Sequence, residues 1–150
     1  MANQFLRDAI VPRHLRPELT ATDKPGIIRE LLDILEQAGT LPDRKAAEAA
    51  VVEREACMST GLERGIAIPH GKTDTVERLL VAVGLKPEGV DFDAADGQPS
   101  RIFILTLSPA SRSGPHIRFL AEVSRLLQDD TRREQLLAAA TPEAMAAALA

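Results

Sequence analysis

Between Ile27 and Leu35 the apolar residues Ile27, Ile28, Leu31, Ile34 and Leu35 recur every three or four positions, the spacing of one buried helix face. Thr22 or Asp23 supplies an N-cap, Pro25 suits the first turn and Gly39 supplies a stop, so the pattern predicts an amphipathic core helix. Asp43 caps a second helix reaching about Glu55, in which Ala47, Ala50 and Val51 form a face of small residues suited to close packing. Arg54 falls in its last turn, where a cation is favourable against the helix dipole.

From Cys57 onward the helical period gives way to short extended segments at 57–60, 66–68, 79–85, 90–92 and 102–107, punctuated by glycines and by Asp96 with Gly97. The run Ile102, Phe103, Ile104, Leu105, Thr106, Leu107 is nearly continuous in its apolarity, which predicts a central strand covered on both faces. Ser113, Gly114, Pro115 and His116 open a further helix, with a buried stripe expected at Ile117, Leu120, Val123 or Ser124, and Leu127. Residues 131–139 predict another helix, and Thr141, Pro142 and Glu143 cap and start the last. Helices at both ends and strands between them predict an α/β fold over residues 1–150: one domain, a mixed β-sheet flanked by helices on both faces.

Composition narrows the chemistry. At 150 residues and 45% hydrophobic content the chain can bury a real core, and with four Phe, no Tyr and no Trp that core is aliphatic. Scattered basic residues and a net charge of -4 argue against nucleic acid as a partner. One cysteine and three separated histidines give neither a disulfide nor a metal-ligand motif, so no metal or cofactor is expected. The start of the chain carries no signal-like segment, and no apolar run approaches the roughly 20 residues that span a bilayer, so a soluble cytoplasmic protein without membrane insertion is expected.

The run Gly65, Ile66, Ala67, Ile68, Pro69, His70, Gly71, Lys72 holds the strongest candidate for chemistry. Pro69 fixes its own φ and pushes Ile68 toward extended geometry, while Gly71 permits either a positive-φ turn or the close approach of a ligand. His70 therefore stands between two backbone constraints at the end of an apolar strand. A neutral imidazole is a nucleophile that needs no partner base at pH 7. A phosphoryl group attached there would call for charge-assisted donors, and Arg54, His116, Lys72 and loop N–H groups are the supply. His116, in the first turn of its helix, is expected to donate a hydrogen bond and to change charge when an anion arrives.

Other chemistries fit less well. Cys57 beside His70 would make a nucleophilic pair, but Cys57 lacks an activating signature and reads as a small buried hydrophobe. No serine nucleophile elbow or nucleotide-binding lysine loop is present. Asp91, Asp93 and Asp96 lack the later Glu of a calcium loop and read as turn initiators, and His14 reads as a surface residue.

Arg54, Glu55, Ser59, Thr60 and Gly61, then Gly65 through Gly71, then Gly89 through Gly97, then His116 at a helix start together resemble the type 2 IIA domain of the bacterial phosphoenolpyruvate-dependent sugar phosphotransferase system. The resemblance covers most of the chain and is shared by the fructose, mannitol and nitrogen-regulatory branches. It implies that His70 is phosphorylated on Nε2, that Arg54 and His116 surround the phosphoryl group, and that the donor is the histidine-containing phosphocarrier protein. It implies a IIB domain as acceptor in sugar uptake, or regulatory partners whose binding follows the phosphorylation state of His70. A chain without attached IIB or membrane IIC segments leans toward the regulatory role. Two departures stand out: Leu62, Glu63 and Arg64 where a further glycine and a small or polar residue are common, and Ser100 where an apolar residue is common.

Overall fold

The computed structural model describes residues 3–150. A short helix α1 (Gln4–Ala9) leads through a 3-10 turn into strand β1 (Leu15–Arg16), followed by α2 (Lys24–Gln37) and α3 (Arg44–Cys57). Strands β2 (Ile66–Ala67), β3 (His70–Lys72), β4 (Leu80–Val90) and β5 (Ser100–Ser108) precede α4 (Gly114–Leu126), α5 (Asp130–Leu137) and α6 (Pro142–Leu149). The caps explain where the helices start and stop. Asp23, Asp43 and Thr141 accept from backbone N–H groups of the first turns, and α2 ends in a Schellman arrangement with Gly39 at φ 75°.

The sheet runs β1, β4, β5, β2, with β3 also on β5, and it is mixed: β4 and β5 are antiparallel, the other pairings parallel. β5 is the predicted central strand. Its Phe103, Leu105 and Leu107 face α2 and α3, while Ile102 and Ile104 face α1, α4, α5 and α6, so each face carries its own apolar core. Each fully buried side chain of this size contributes about 1.5–3 kcal/mol, which makes the sheet and its two helical layers mutually dependent.

β2 and β3 keep one register against β5, Ile66 opposite Ile102 and His70 opposite Thr106, so residues 66–72 form one strand path interrupted at Pro69. Pro69 accepts from Thr106 N at 3.1 Å but has no N–H to return, which is why the ladder breaks there and why the path lies outside β5. Alternation along this path puts Ile66, Ile68 and His70 on the α4 side and Ala67 and Gly71 on the α3 side. Gly71 is a strand residue in contact with a helix, not a turn: a Cβ there would lie 2.9 Å from the Ala50 Cβ and 2.9 Å from the Val51 backbone nitrogen.

Several expectations are corrected. Segment 57–60 is not a strand; Cys57 ends α3 and is exposed rather than buried. The segment 90–92 does not pair separately, because β4 runs on to Val90 and Asp91 opens a turn by accepting from Asp93 N at 3.0 Å. The buried stripe of α4 and its C-cap is His116, Phe119, Val123 and Leu127: Val123 and Leu127 lie where predicted, the first two positions lie one residue earlier than Ile117 and Leu120, and Ile117 is 63% exposed. A buried histidine in place of an aliphatic residue shifted the apparent stripe. His14 is buried, with Nε2 2.9 Å from the Thr40 hydroxyl.

Two sequence departures have visible consequences. Arg64 sits at φ 64°, where its N–H donates to Asp96 Oδ2 and its guanidinium to the Gln128 carbonyl, tying the 62–64 loop down. Ser100 is fully buried and its hydroxyl finds no protein partner.

Gly71→Ala should lower stability by about 1–3 kcal/mol, because the added methyl meets helix backbone rather than a flexible side chain. Denaturant unfolding of the two proteins measures this, and an unchanged midpoint would show that α3 does not rest on this strand.

Candidate functional site

His70 is the first residue of β3 and is half-buried. Its Nδ1 lies 3.0 Å from the Ile68 carbonyl oxygen. A carbonyl only accepts, so Nδ1 carries the proton and Nε2 of the neutral ring keeps its lone pair. The break at Pro69 makes this bond possible. Ile68 sends its N–H outward to the Thr60 carbonyl at 3.1 Å, away from β5, and its carbonyl turns back to the imidazole two residues on.

His116 approaches from the other side. Its ring centroid is 5.2 Å from that of His70, with the planes tilted by 47°. It is 5% exposed, with Nε2 3.0 Å from the hydroxyl of Thr106, which is itself fully buried directly opposite His70 on β5. Burial, then the neighbouring His70 and Lys72, push the His116 pKa down to about 4, so this imidazole is neutral at pH 7. Thr106 is the one polar residue within the apolar run 102–107 of β5, and its hydroxyl lies 3.0 Å from the His116 ring.

Arg54 and Lys72 border the same cleft as His70, together with Ala50, Glu53, Cys57 and Gly71. α3 reaches this cleft because Gly71 and Ala50 let helix and strand backbones approach. The Arg54 guanidinium donates to the Met58 carbonyl at 2.8 Å, closing the end of α3 and holding the arginine at the rim. Thus the structure brings His70, Arg54 and His116 to one rim of the sheet, with Arg54 on the α3 side and His116 on the α4 side.

Sequence reasoning left three contributors without a role. Lys72 appeared only as one possible donor, and Thr106 only as part of an apolar run. Glu55 is the third: its buried carboxylate accepts from Thr60 N at 2.8 Å and from the Thr60 hydroxyl, and pairs with Lys24 Nζ at 2.7 Å. That network pins residues 58–61 between α2, α3 and the loop after β4, where Ser59 donates to the Phe92 carbonyl at 2.6 Å. A glutamate next to the candidate arginine was the available signal. Cys57 borders the cleft but makes only a long contact to the Glu53 carbonyl, so nothing activates it as a nucleophile. Among the described residues no group of three or more His, Cys, Asp and Glu side chains is arranged to hold a metal ion, and no helix is long and apolar enough to cross a membrane.

The arrangement is thus an exposed imidazole nitrogen with a free lone pair, flanked by a neutral buried histidine and two cations. It can attack an electrophile and hold an anion.

Comparison with known proteins agrees with this geometry. A family described as "Phosphoenolpyruvate-dependent sugar phosphotransferase system, EIIA 2" matches residues 10–150. The chain is 41% identical over 127 residues to the fructose-specific EIIA component of the phosphotransferase system in Haloferax volcanii, covering 85% of this chain and 82% of that protein. It is 28% identical over 145 residues to a nitrogen regulatory protein of Bradyrhizobium diazoefficiens, covering 97% and 94%. Among solved structures, the nitrogen regulatory protein IIA-Ntr of Neisseria meningitidis superposes with a TM-score of 0.88 at 27% identity, over 97% of this chain and 99% of that one. From the strand that presents His70 to the helix that presents His116, the chain belongs to the EIIA type 2 family of the phosphoenolpyruvate-dependent sugar phosphotransferase system.

Proposed function

We propose that this protein is a cytoplasmic phosphocarrier in which His70 Nε2 takes a phosphoryl group from a histidine-containing phosphocarrier protein and passes it to a IIB domain for sugar uptake. The observation that carries this reading is the Nδ1 bond of His70 to the Ile68 carbonyl, which leaves the nucleophilic lone pair on Nε2. In the transfer, the N–P bond of the donor phosphohistidine breaks and its electron pair stays on the donor nitrogen, while the Nε2 lone pair forms the new N–P bond. The proton on Nδ1 does not move. The phosphoryl group brings close to two negative charges, and the charge spread over its oxygens in transit is the quantity to stabilise.

Arg54 and Lys72 supply fixed positive charge at the cleft, and Arg54 offers the planar fork that suits phosphoryl oxygens. His116 acts differently. Neutral in the empty site, with its Nε2 3.0 Å from the Thr106 hydroxyl and its ring beside His70, it can gain a proton as the arriving dianion raises its affinity for one. A neutral waiting state avoids adding a third cation, beside Arg54 and Lys72, against His70 before the anion arrives.

The 41% identity to a fructose-specific component favours the sugar-uptake reading. A second reading, in which the phosphorylation state of His70 governs binding to regulatory proteins, rests on the near full-length match to the Bradyrhizobium nitrogen regulatory protein. Both use one site. Adjacent genes for IIB and IIC components would favour transport, and neighbouring nitrogen regulators would favour regulation.

Incubation with phosphoenolpyruvate, enzyme I and the carrier protein should label one acid-labile site, and His70→Ala should abolish the label. Arg54→Gln should slow transfer by about 10- to 100-fold with the fold intact, the loss expected for a charge-assisted hydrogen bond. A fully labelled His70→Ala protein would refute the assignment of the nucleophile, and wild-type rates for Arg54→Gln would remove Arg54 from it.

The depressed His116 pKa makes a second prediction. Its ordinary value is near 6.5 and its folded value about 4, so between these pH values the unfolded chain binds more protons. The unphosphorylated protein should therefore hold its full His116 contribution above pH 6.5 and lose about 1–3 kcal/mol as the pH falls toward 4. His116→Gln should be less sensitive to acid over that range, and parallel stability curves would contradict the neutral buried state.

A further inference from the structure

Outside the cleft of His70 lies a groove of ≈ 460 Å³ between α1, the 3-10 turn before β1, the start of β4 and the loop that joins β5 to α4. It is bordered by Arg13, Arg78 and Arg112, drawn from three separate stretches of chain. Among the described residues none of these guanidinium groups has a hydrogen bond or ion pair within the protein; Arg7, Arg29, Arg101 and Arg125 share that condition elsewhere, whereas Arg16, Arg44, Arg54, Arg64, Arg132 and Arg133 are engaged. The single carboxylate on the groove, Asp8, is engaged by Gln4 Nε2 at 2.8 Å. In a chain with a net charge of -4, three unpaired cations around one concavity are a local reversal of sign.

His14 lines the same groove and is 4% exposed. The Thr40 hydroxyl donates to the Leu35 carbonyl at 3.1 Å and so must accept from His14 Nε2. The other ring nitrogen, Nδ1, is buried and makes no hydrogen bond of good geometry among the described residues. Burial and then Arg13 push this imidazole below its ordinary pKa; a backbone contact with Val81 opposes them, and Arg78 adds a weaker push downward. An anion held by the arginines would offset the two cations. Phe5, Leu79, Leu80 and Pro109 give the groove apolar walls, and its volume is that of a small-molecule site rather than of an extended chain.

We propose that this groove binds a small organic anion carrying phosphate or carboxylate groups, held by Arg13, Arg78 and Arg112 and covered on its carbon skeleton by the apolar walls. Guanidinium forks match both oxyanions, and the three arginines are exposed at the mouth of the groove, where an incoming anion can reach them. The site is distinct from the cleft of His70 and does not depend on the role assigned to that residue.

Titration of the full-length 15N-labelled protein at low ionic strength with inorganic phosphate, and separately with citrate, tests this by amide and imidazole resonances. The expected result is saturable shifts at Arg13, Leu80 and Arg112 and an upward move of the His14 titration, unchanged in His70→Ala. The double variant Arg78→Gln, Arg112→Gln should bind at least about tenfold more weakly while accepting the phosphoryl group as wild type does. Tighter binding of phosphate would assign a phosphoester ligand, and tighter binding of citrate a polycarboxylate. Absence of saturable shifts at the groove, equal affinity in the double variant, or binding of a polyglutamate peptide but of neither small anion would each overturn the proposal.

Discussion

The hydrogen bond from His70 Nδ1–H to the Ile68 carbonyl is the interaction around which the site is organised, because it sets which nitrogen of the imidazole can react. That bond needs a carbonyl outside the sheet ladder. Pro69 supplies the condition by interrupting the strand path between β2 and β3, and the outward N–H of Ile68 is satisfied by Thr60. Thr60 in turn is held by Glu55, whose carboxylate is paired with Lys24 of α2. The tautomer of a histidine directly after a proline is thus supported by a buried ion pair that joins two helices to a loop.

The two helical layers divide the work by distance and dielectric. On the α3 side, small residues bring helix and strand backbones together and leave Arg54 and Lys72 at a solvent-facing rim. On the α4 side, His116 is buried and neutral beside a fully buried threonine. Fixed charge faces water, where it costs little, and the switchable group sits where desolvation keeps it uncharged until an anion is present. The chain that carries this geometry belongs to the EIIA type 2 family of the phosphotransferase system.

Much of this was legible in the sequence where one physical rule acted alone. Apolar period and caps gave α2, the start of α3 and α6, and an unbroken apolar run gave β5. The Pro69, His70 and Gly71 run pointed to the candidate nucleophile, although Gly71 serves close packing rather than a turn. Legibility failed where a polar residue took an apolar place. His116 occupies the buried stripe of α4, so a count of aliphatic positions selected Ile117 instead, and His14 is buried through a contact with Thr40, 26 residues away, that no local pattern encodes. Residues 57–60 looked extended because their order comes from Glu55 and Phe92 rather than from their own propensities. The pairing of Thr106 with His116 depends on strand register, which fixes His70 opposite Thr106 only after the sheet has formed.

The most direct test of this account is the tautomeric state of His70 in the unphosphorylated protein, read from long-range 1H–15N correlations of the imidazole at a pH above its titration. The account predicts that Nδ1 carries the proton and that Nε2 shows the shift of an unprotonated nitrogen. A protonated Nε2 with the lone pair on Nδ1 would contradict it, because the Ile68 carbonyl would then have no donor to fix the ring and the nitrogen proposed to take the phosphoryl group would have no electrons to offer.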